Sequence, residues 1–139
     1  MRFISFNTIK EKIKKACIEA NYILGEDVLE GFRRAQTEED SPLGKEILTQ
    51  LIENARIARE EKIPLCQDTG LAVFFVELGD KVSIEGKGGL REAINEGVRE
   101  GYREGYLRKS VCHPFSRKNT GDNTPAIIHW EIVPGEQLK

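Results

Sequence analysis

A chain of 139 residues, 39% hydrophobic and 32% charged, is long enough to bury the core of one domain and too short for a second complete one. Its 21 Lys and Arg nearly balance 23 Asp and Glu, a formal net charge of -2, so bulk charge recruits neither nucleic acid nor a membrane surface. A small anionic ligand would have to find local cations. Three cysteines, an odd number, without a secretory leader pattern, predict a reducing cytoplasmic compartment instead of a disulfide framework. No apolar run approaches the length of a membrane span.

Thr8 with Glu11 forms a capping-box pattern. The residues Ile9, Ile13, Ala16, Cys17 and Ala20 then recur at helical spacing, with Lys and Glu opposite, which predicts an amphipathic helix with Cys17 in the core. Asp27 is the expected cap of a second helix carrying Val28, Leu29, Phe32 and Ala35, and acidic Thr37 to Asp40 reads as a solvated connection. Ser41-Pro42 pairs a cap with a first-turn proline. Leu43, Ile47, Leu51, Ala55 and Ala58 continue that third helix, and Leu48 and Ile52 widen its stripe.

The third helix must end before Pro64, because proline fixes its own φ and pushes Ile63 out of the helical region. The chain thus arrives at Cys66-Gln67-Asp68-Thr69-Gly70, which sets a thiol, an amide, a carboxylate and a hydroxyl on consecutive residues in a loop between two apolar segments. A thiolate there can bind a soft metal, and a neighbouring acid can move a proton to or from a substrate. By spacing alone, a buried cysteine beside a polar turn is the commoner arrangement.

Leu71 to Leu78 is nearly continuous and apolar, as suits a strand covered on both faces, and Val82 to Glu85 is a short partner strand after the Gly79-Asp80 turn. The Gly86-Lys87-Gly88-Gly89 cluster lacks the spacing and the Lys-Ser/Thr ending of a phosphate loop. From Leu90 to Leu107 the pattern is helical: Ile94, Val98, Tyr102 and Tyr106 form one row, and Ala93, Gly97, Gly101 and Gly105 the next. Each interior glycine costs about 1 kcal/mol relative to alanine, so a regular glycine row predicts that another backbone packs closely along it. Arg108 and Lys109 then fall at the C-terminal end, where the helix dipole favours cations, and a guanidinium there also suits a carboxylate. Cys112-His113-Pro114 has no second ligand pair and is not a zinc site by spacing. Arg117 to Thr124 reads as a polar loop, and Ala126 to Val133 as a strand in which His129 and Trp130 are packing residues. Helices followed by a mixed strand and helix region make the fold class α+β, mainly helical over 1–62 and mixed over 63–139.

The segment Cys66-Gln67-Asp68-Thr69-Gly70 followed by an apolar strand resembles the cluster loop of class I, iron-sulfur fumarate hydratases, which L-tartrate dehydratase alpha subunits share. A second region is similar to the same family: Gly105 to Ser110, then Lys118-Asn119-Thr120-Gly121-Asp122-Asn123-Thr124-Pro125-Ala126, then His129 to Gly135. The two regions stand in the family's order, and the resemblance runs from the first helix to the last residue. It implies a 4Fe-4S cluster held by three cysteines, whose open iron acts on a small 2-hydroxy acid during reversible dehydration. By position in the motif, Cys66 would be the first cluster ligand, Gln67 a substrate-contacting amide and Asp68 the acid that protonates the departing hydroxyl. To do so at neutral pH, Asp68 needs surroundings that keep it protonated. An arginine in the Tyr-Leu-Arg region belongs to the family's substrate set, so Arg108 would hold a substrate carboxylate.

The departure from the family is equally specific. Its second and third cluster cysteines lie beyond the equivalent of residue 139, and neither Cys17 nor Cys112 sits in a matching motif. Its catalytic base and further cationic contacts belong to a C-terminal domain or a beta subunit. The expectation is therefore that residues 1–139 form the N-terminal portion of an alpha subunit, an incomplete part of a larger domain. Its partners would be the rest of that subunit, a beta subunit and a small dicarboxylate, and its exposed surfaces would favour homo-oligomers. Fumarate and malate are the expected substrate pair, with L-tartrate dehydration as the alternative. As an isolated chain it would be a noncatalytic assembly module, unable to hold the cluster stably.

Overall fold

The computed structural model describes residues 1–66 and 69–139. The chain divides into two units, Met1–Ile18 with Asp68–Lys139, and Glu19–Gln67. In order, the elements are β1 (Arg2–Ser5), α1 (Phe6–Tyr22), α2 (Glu26–Glu38), α3 (Pro42–Glu61), β2 (Val73–Gly79), β3 (Val82–Glu85), α4 (Gly89–Glu104) and β4 (Ile127–Val133). This is the α+β class that the sequence pattern indicates. Among the described residues, no helix is long and apolar enough to cross a membrane.

The larger unit is built on the contact between α1 and α4. Ala93, Ile94, Val98 and Tyr102 are buried on α4, and Ile9 and Cys17 on α1. Burying side chains the size of Ile94 and Val98 stabilises by about 1.5–3 kcal/mol each. The predicted glycine row is the seam itself. A Cβ at Gly97 would lie 2.6 Å from Ile13 Cβ and 2.7 Å from the Lys10 carbonyl oxygen, and one at Gly101 would lie 3.0 Å from both Cys17 Cβ and the Lys14 carbonyl oxygen. Glycine is thus required by the approach of the α1 backbone. Lys10 reaches Glu100 at 2.9 Å and Lys14 reaches Glu104 at 3.3 Å along the seam. Such solvent-accessible pairs add register more than stability, so packing dominates.

Two parallel strand pairs complete this unit. β1 pairs with β3 from Arg2↔Val82 to Ser5↔Glu85, and β2 pairs with β4 from Val73↔Ile127 to Gly79↔Val133. The last residues run back along β2: the Lys139 N–H donates to the Glu77 carbonyl at 3.0 Å, and the Glu77 N–H to Lys139 at 3.1 Å. Gly79 allows this return, since a Cβ there would stand 2.5 Å from the Gly135 carbonyl oxygen. A cavity of about 260 Å³ lies among Ile4, Ile9, Ile13, Val76, Leu90 and Ile94. The cavity is largely aliphatic, and of the described candidate residues neither Cys66 nor Arg108 borders it.

In the smaller unit α2 packs on α3 through buried Leu29, Ala55 and Ala58. Ser41 caps α3 as expected, its Oγ accepting from the Gly44 N–H at 3.3 Å with Pro42 in the first turn. The N-terminal part of the α3 stripe is open, with Leu43 66% exposed.

Several local expectations are corrected. Ser5, not Thr8, caps α1: its Oγ accepts from the Thr8 N–H at 3.1 Å, because β1 delivers the chain to the helix one turn earlier. Ala16 and Ala20 are exposed, so the buried stripe of α1 is narrower than the pattern implies. The cap of α2 is Gly25, and Asp27 lies inside the first turn. β3 has its expected bounds but pairs with β1, not β2. α4 ends at Glu104, so Arg108 and Lys109 lie beyond it and the last-turn cation is Arg103. β2 is not covered on both faces: exposed Val73, Phe75 and Glu77 alternate with half-buried Phe74, Val76 and Leu78. His129 and Trp130 are exposed, His129 stacked on Phe75 at 5.2 Å and Trp130 under the Arg91 guanidinium at 4.9 Å.

Gly97→Ala is expected to destabilise the chain by about 1–3 kcal/mol in urea unfolding, because overpacking outweighs the better helix propensity of alanine. Gly31→Ala in α2, where a Cβ meets nothing within 4 Å, is expected to be neutral or stabilising by up to about 1 kcal/mol.

Candidate active site

The smaller unit carries Cys66. Lys62 ends α3 in the left-handed region, with φ 54° and ψ 53°, and its N–H returns to the Ala58 carbonyl. Leu65 is then held at both main-chain groups: its N–H donates to the Asn21 carbonyl at 2.8 Å, and its carbonyl accepts from Asn54 Nδ2 at 2.8 Å. Cys66 follows directly, with its side chain exposed. The rigid helix expected behind the loop is therefore present, and two hydrogen bonds tether the residue before the thiol. Gln67 and Asp68 lie outside the described residues.

The larger unit carries Arg108. Thr69 Oγ1 donates to the Arg108 carbonyl at 2.8 Å, and the Tyr102 hydroxyl donates to the Thr69 carbonyl at 3.2 Å. Asn123 is the hub of this region. It is fully buried at 0% exposure, its Oδ1 accepts from the Ser110 and Val111 N–H groups at 2.6 and 3.0 Å, and its Nδ2 donates to the Gly70 carbonyl at 3.3 Å. Its φ of 62° is a left-handed value that asparagine tolerates better than most residues. The Arg108 side chain is exposed. Among the described residues its guanidinium has no ion-pair partner, which leaves it available to an anion.

Two polar residues of α4 hold the Asp122–Ala126 turn. Asn95 Oδ1 accepts from the Ala126 N–H at 2.9 Å, and Arg99 Nε donates to Asp122 Oδ2 at 2.9 Å. Asp122 Oδ1 also accepts from the Thr124 N–H at 3.0 Å and the Thr124 hydroxyl at 2.8 Å. Partial burial works to raise the Asp122 carboxyl, but the Thr124 donors and the Arg99 guanidinium together hold it below its ordinary value. Val111 to Thr120 forms an exposed hairpin in which His113 Nδ1 accepts from the Ser116 N–H at 3.3 Å. His113 thus serves a turn, as its place ahead of Pro114 suggests.

Cys17 is buried and its thiol is pushed up to about 11 by desolvation, so it is a packing residue and not a thiolate donor. Cys112 sits in the hairpin, its Sγ 3.8 Å from the Ser110 carbonyl oxygen. Among the described residues, no three Cys, His, Asp or Glu side chains converge as a metal site. By exposure and motif, the described residues offer one suitable thiol, Cys66, and not a complete ligand set.

Of the four sequence-predicted site residues, Cys66 belongs to the smaller unit and Arg108 to the larger. Sequence pattern alone does not mark Tyr102, Asn123, Asn95 or Arg99 as site-forming residues. The available signals were the polar Asn95 and Arg99, one helical turn apart beside the apolar row of α4, and Asn123 within a turn-rich segment.

The family model described as "Fumarate hydratase (Fumerase)" matches residues 10–139, and the chain belongs to that family. It is 38% identical over 113 residues to a Methanocaldococcus jannaschii protein provisionally named L(+)-tartrate dehydratase subunit alpha, covering 78% of this chain and 40% of that one. It is 30% identical over 112 residues to the L(+)-tartrate dehydratase subunit alpha of Escherichia coli K12, covering 78% of this chain and 36% of that one. The chain thus spans about two fifths of the length of the curated relatives it matches.

The linkage of Asp122 has a definite sign. A carboxyl held below its ordinary 3.8 contributes stability above that pH, and the contribution is lost as pH falls through the lowered value. Acid titration of unfolding free energy should therefore show a loss below pH 3.8 that is reduced in Asp122→Asn, which starts from a lower stability at pH 7. Asn123→Ala strands two part-buried N–H groups and the Gly70 carbonyl and is expected to cost about 2–4 kcal/mol in the same measurement.

Proposed function

We propose that this chain is part of a hydro-lyase that interconverts (S)-malate and fumarate by reversible dehydration. The observation that carries the reading is family membership over residues 10–139, supported by an exposed thiol, Cys66, in the segment that resembles the family's cluster loop. In this reading Cys66 is the first ligand of a 4Fe-4S cluster whose other ligands come from further polypeptide of the alpha subunit. When bound, such a cluster supplies a Lewis acid for the hydroxyl and carboxylate of a 2-hydroxy acid.

Three further roles fall to side chains of this chain. Asp68 gives its proton to the departing hydroxyl, converting a poor leaving group to water, and recovers one in the reverse direction. Gln67 orients the substrate through its amide, which can both donate and accept. Arg108 holds a carboxylate in its guanidinium fork, with its side chain exposed and its main chain held by Thr69. A base for the carbon-bound proton and further cations come from a beta subunit or C-terminal domain. The names of the relatives favour a second reading, in which the substrate is L(+)-tartrate and this chain is the corresponding alpha subunit. Both substrates are 2-hydroxy dicarboxylates and make the same demands on these four residues. Work in the cytoplasm and assembly with further copies of the chain complete the proposal.

Anaerobic iron-sulfur reconstitution of the complete alpha polypeptide with its beta subunit, assayed with both substrates, tests this. Cys66→Ser is expected to remove cluster absorbance and turnover together, whereas unchanged values of both would refute the ligand assignment. Asp68→Asn is expected to lower turnover by about a hundredfold or more while cluster absorbance stays near wild type. Turnover of neither substrate by the wild-type assembly would sink the hydro-lyase reading.

A further inference from the structure

Two short lengths of main chain, Thr69–Gly70 and Arg108–Val111, are fastened to one another at successive points. Thr69 Oγ1 donates to the Arg108 carbonyl at 2.8 Å. One residue on, Asn123 joins the Gly70 carbonyl to the Ser110 and Val111 N–H groups. Thr69 is itself anchored, because its carbonyl accepts from the hydroxyl of Tyr102, only 2% exposed on α4. The fastening at Arg108 is to its carbonyl, so it constrains where the side chain starts and leaves the guanidinium unengaged. Thr69 is also the residue immediately after Asp68.

We propose that Thr69 is a positioning residue: its hydroxyl fixes the main chain at Arg108 relative to the Thr69–Gly70 segment, and so sets the reach of the guanidinium for one end of a short dicarboxylate. The inference rests on the reading of Arg108 as the carboxylate fork. Fixing the main chain at Arg108 removes the backbone share of the ordering cost on binding, and a displacement of about 1 Å at a carboxylate-binding group is enough to cost up to about a hundredfold. Valine matches threonine in shape without donating a hydrogen bond, whereas serine keeps the donor. Thr69→Val against Thr69→Ser therefore isolates this bond.

The test is steady-state dehydration by the complete reconstituted alpha and beta assembly, using whichever of (S)-malate and L-tartrate the wild type turns over. Thr69→Val is expected to raise KM about tenfold with unchanged cluster absorbance, and Thr69→Ser to restore it. Arg108→Ala should raise KM as well, and adding Thr69→Val to Arg108→Ala should raise it no further, since both changes act through one guanidinium. A wild-type KM in Thr69→Val alongside a raised KM in Arg108→Ala would overturn the positioning role alone. So would a loss of active protein in Thr69→Val with KM unchanged, or an equal KM increase in the Arg108→Ala background. An unchanged KM in Arg108→Ala would instead remove the carboxylate fork, and this proposal with it. Should Thr69→Val not accumulate, Tyr102→Phe carries the test by releasing the Thr69 carbonyl: a raised KM supports the role and a wild-type KM overturns it.

Discussion

The larger unit depends on how closely α1 and α4 approach. Gly97 and Gly101 present bare backbone to Ile13, Cys17 and the Lys10 and Lys14 carbonyls, and no larger residue fits at those separations. The glycines weaken α4 as an isolated helix. What offsets that weakness is the contact they permit, with Ile94 and Val98 almost wholly buried. A helix locked in this way can serve as a fixed rail for side chains on its other faces.

The candidate site uses that rail. Tyr102 reaches Thr69, Arg99 reaches Asp122, and Asn95 reaches the Ala126 N–H. The segments so held are those that carry the family's motifs, and none of them is a regular helix or strand. Irregular backbone has no ladder to satisfy its polar groups, so buried side chains must do so. Asn123 shows the economy of this arrangement, pairing three main-chain groups from two separate segments with one amide. The smaller unit applies the same device to the thiol, with Asn54 and the Asn21 carbonyl pinning Leu65 just before Cys66.

Exposed apolar surface is the other consequence of this architecture. Phe75 is 79% exposed on one face of β2, Ile132 is 72% exposed on β4, and Leu43, Ile47 and Leu51 are exposed along α3. An almost continuous apolar run in β2 reads as a strand covered on both sides, yet among the described residues only one side has cover. The run reports what a strand can bury, not what this length of chain buries by itself. Spanning about two fifths of its relatives' length, the chain has sequence counterparts for only part of those proteins.

Local rules made much of the chain legible from sequence. Ser41-Pro42 marked the start of α3, Pro64 its end, and the four-residue glycine spacing a close approach of another backbone, because caps, torsional limits and helix propensity act over a few neighbouring residues. The Cys66 to Gly70 motif and the Lys118 to Ala126 motif were likewise visible as strings, and they indicated the family. Tertiary structure alone decided that β3 pairs with β1, that α1 is the partner of the glycine row, and that Asn123 joins residues 13 and 53 positions away. The physical reason is that every residue carries much the same backbone donor and acceptor. Which distant group a side chain or strand satisfies leaves no mark in its own sequence, and is settled only when packing brings the two together.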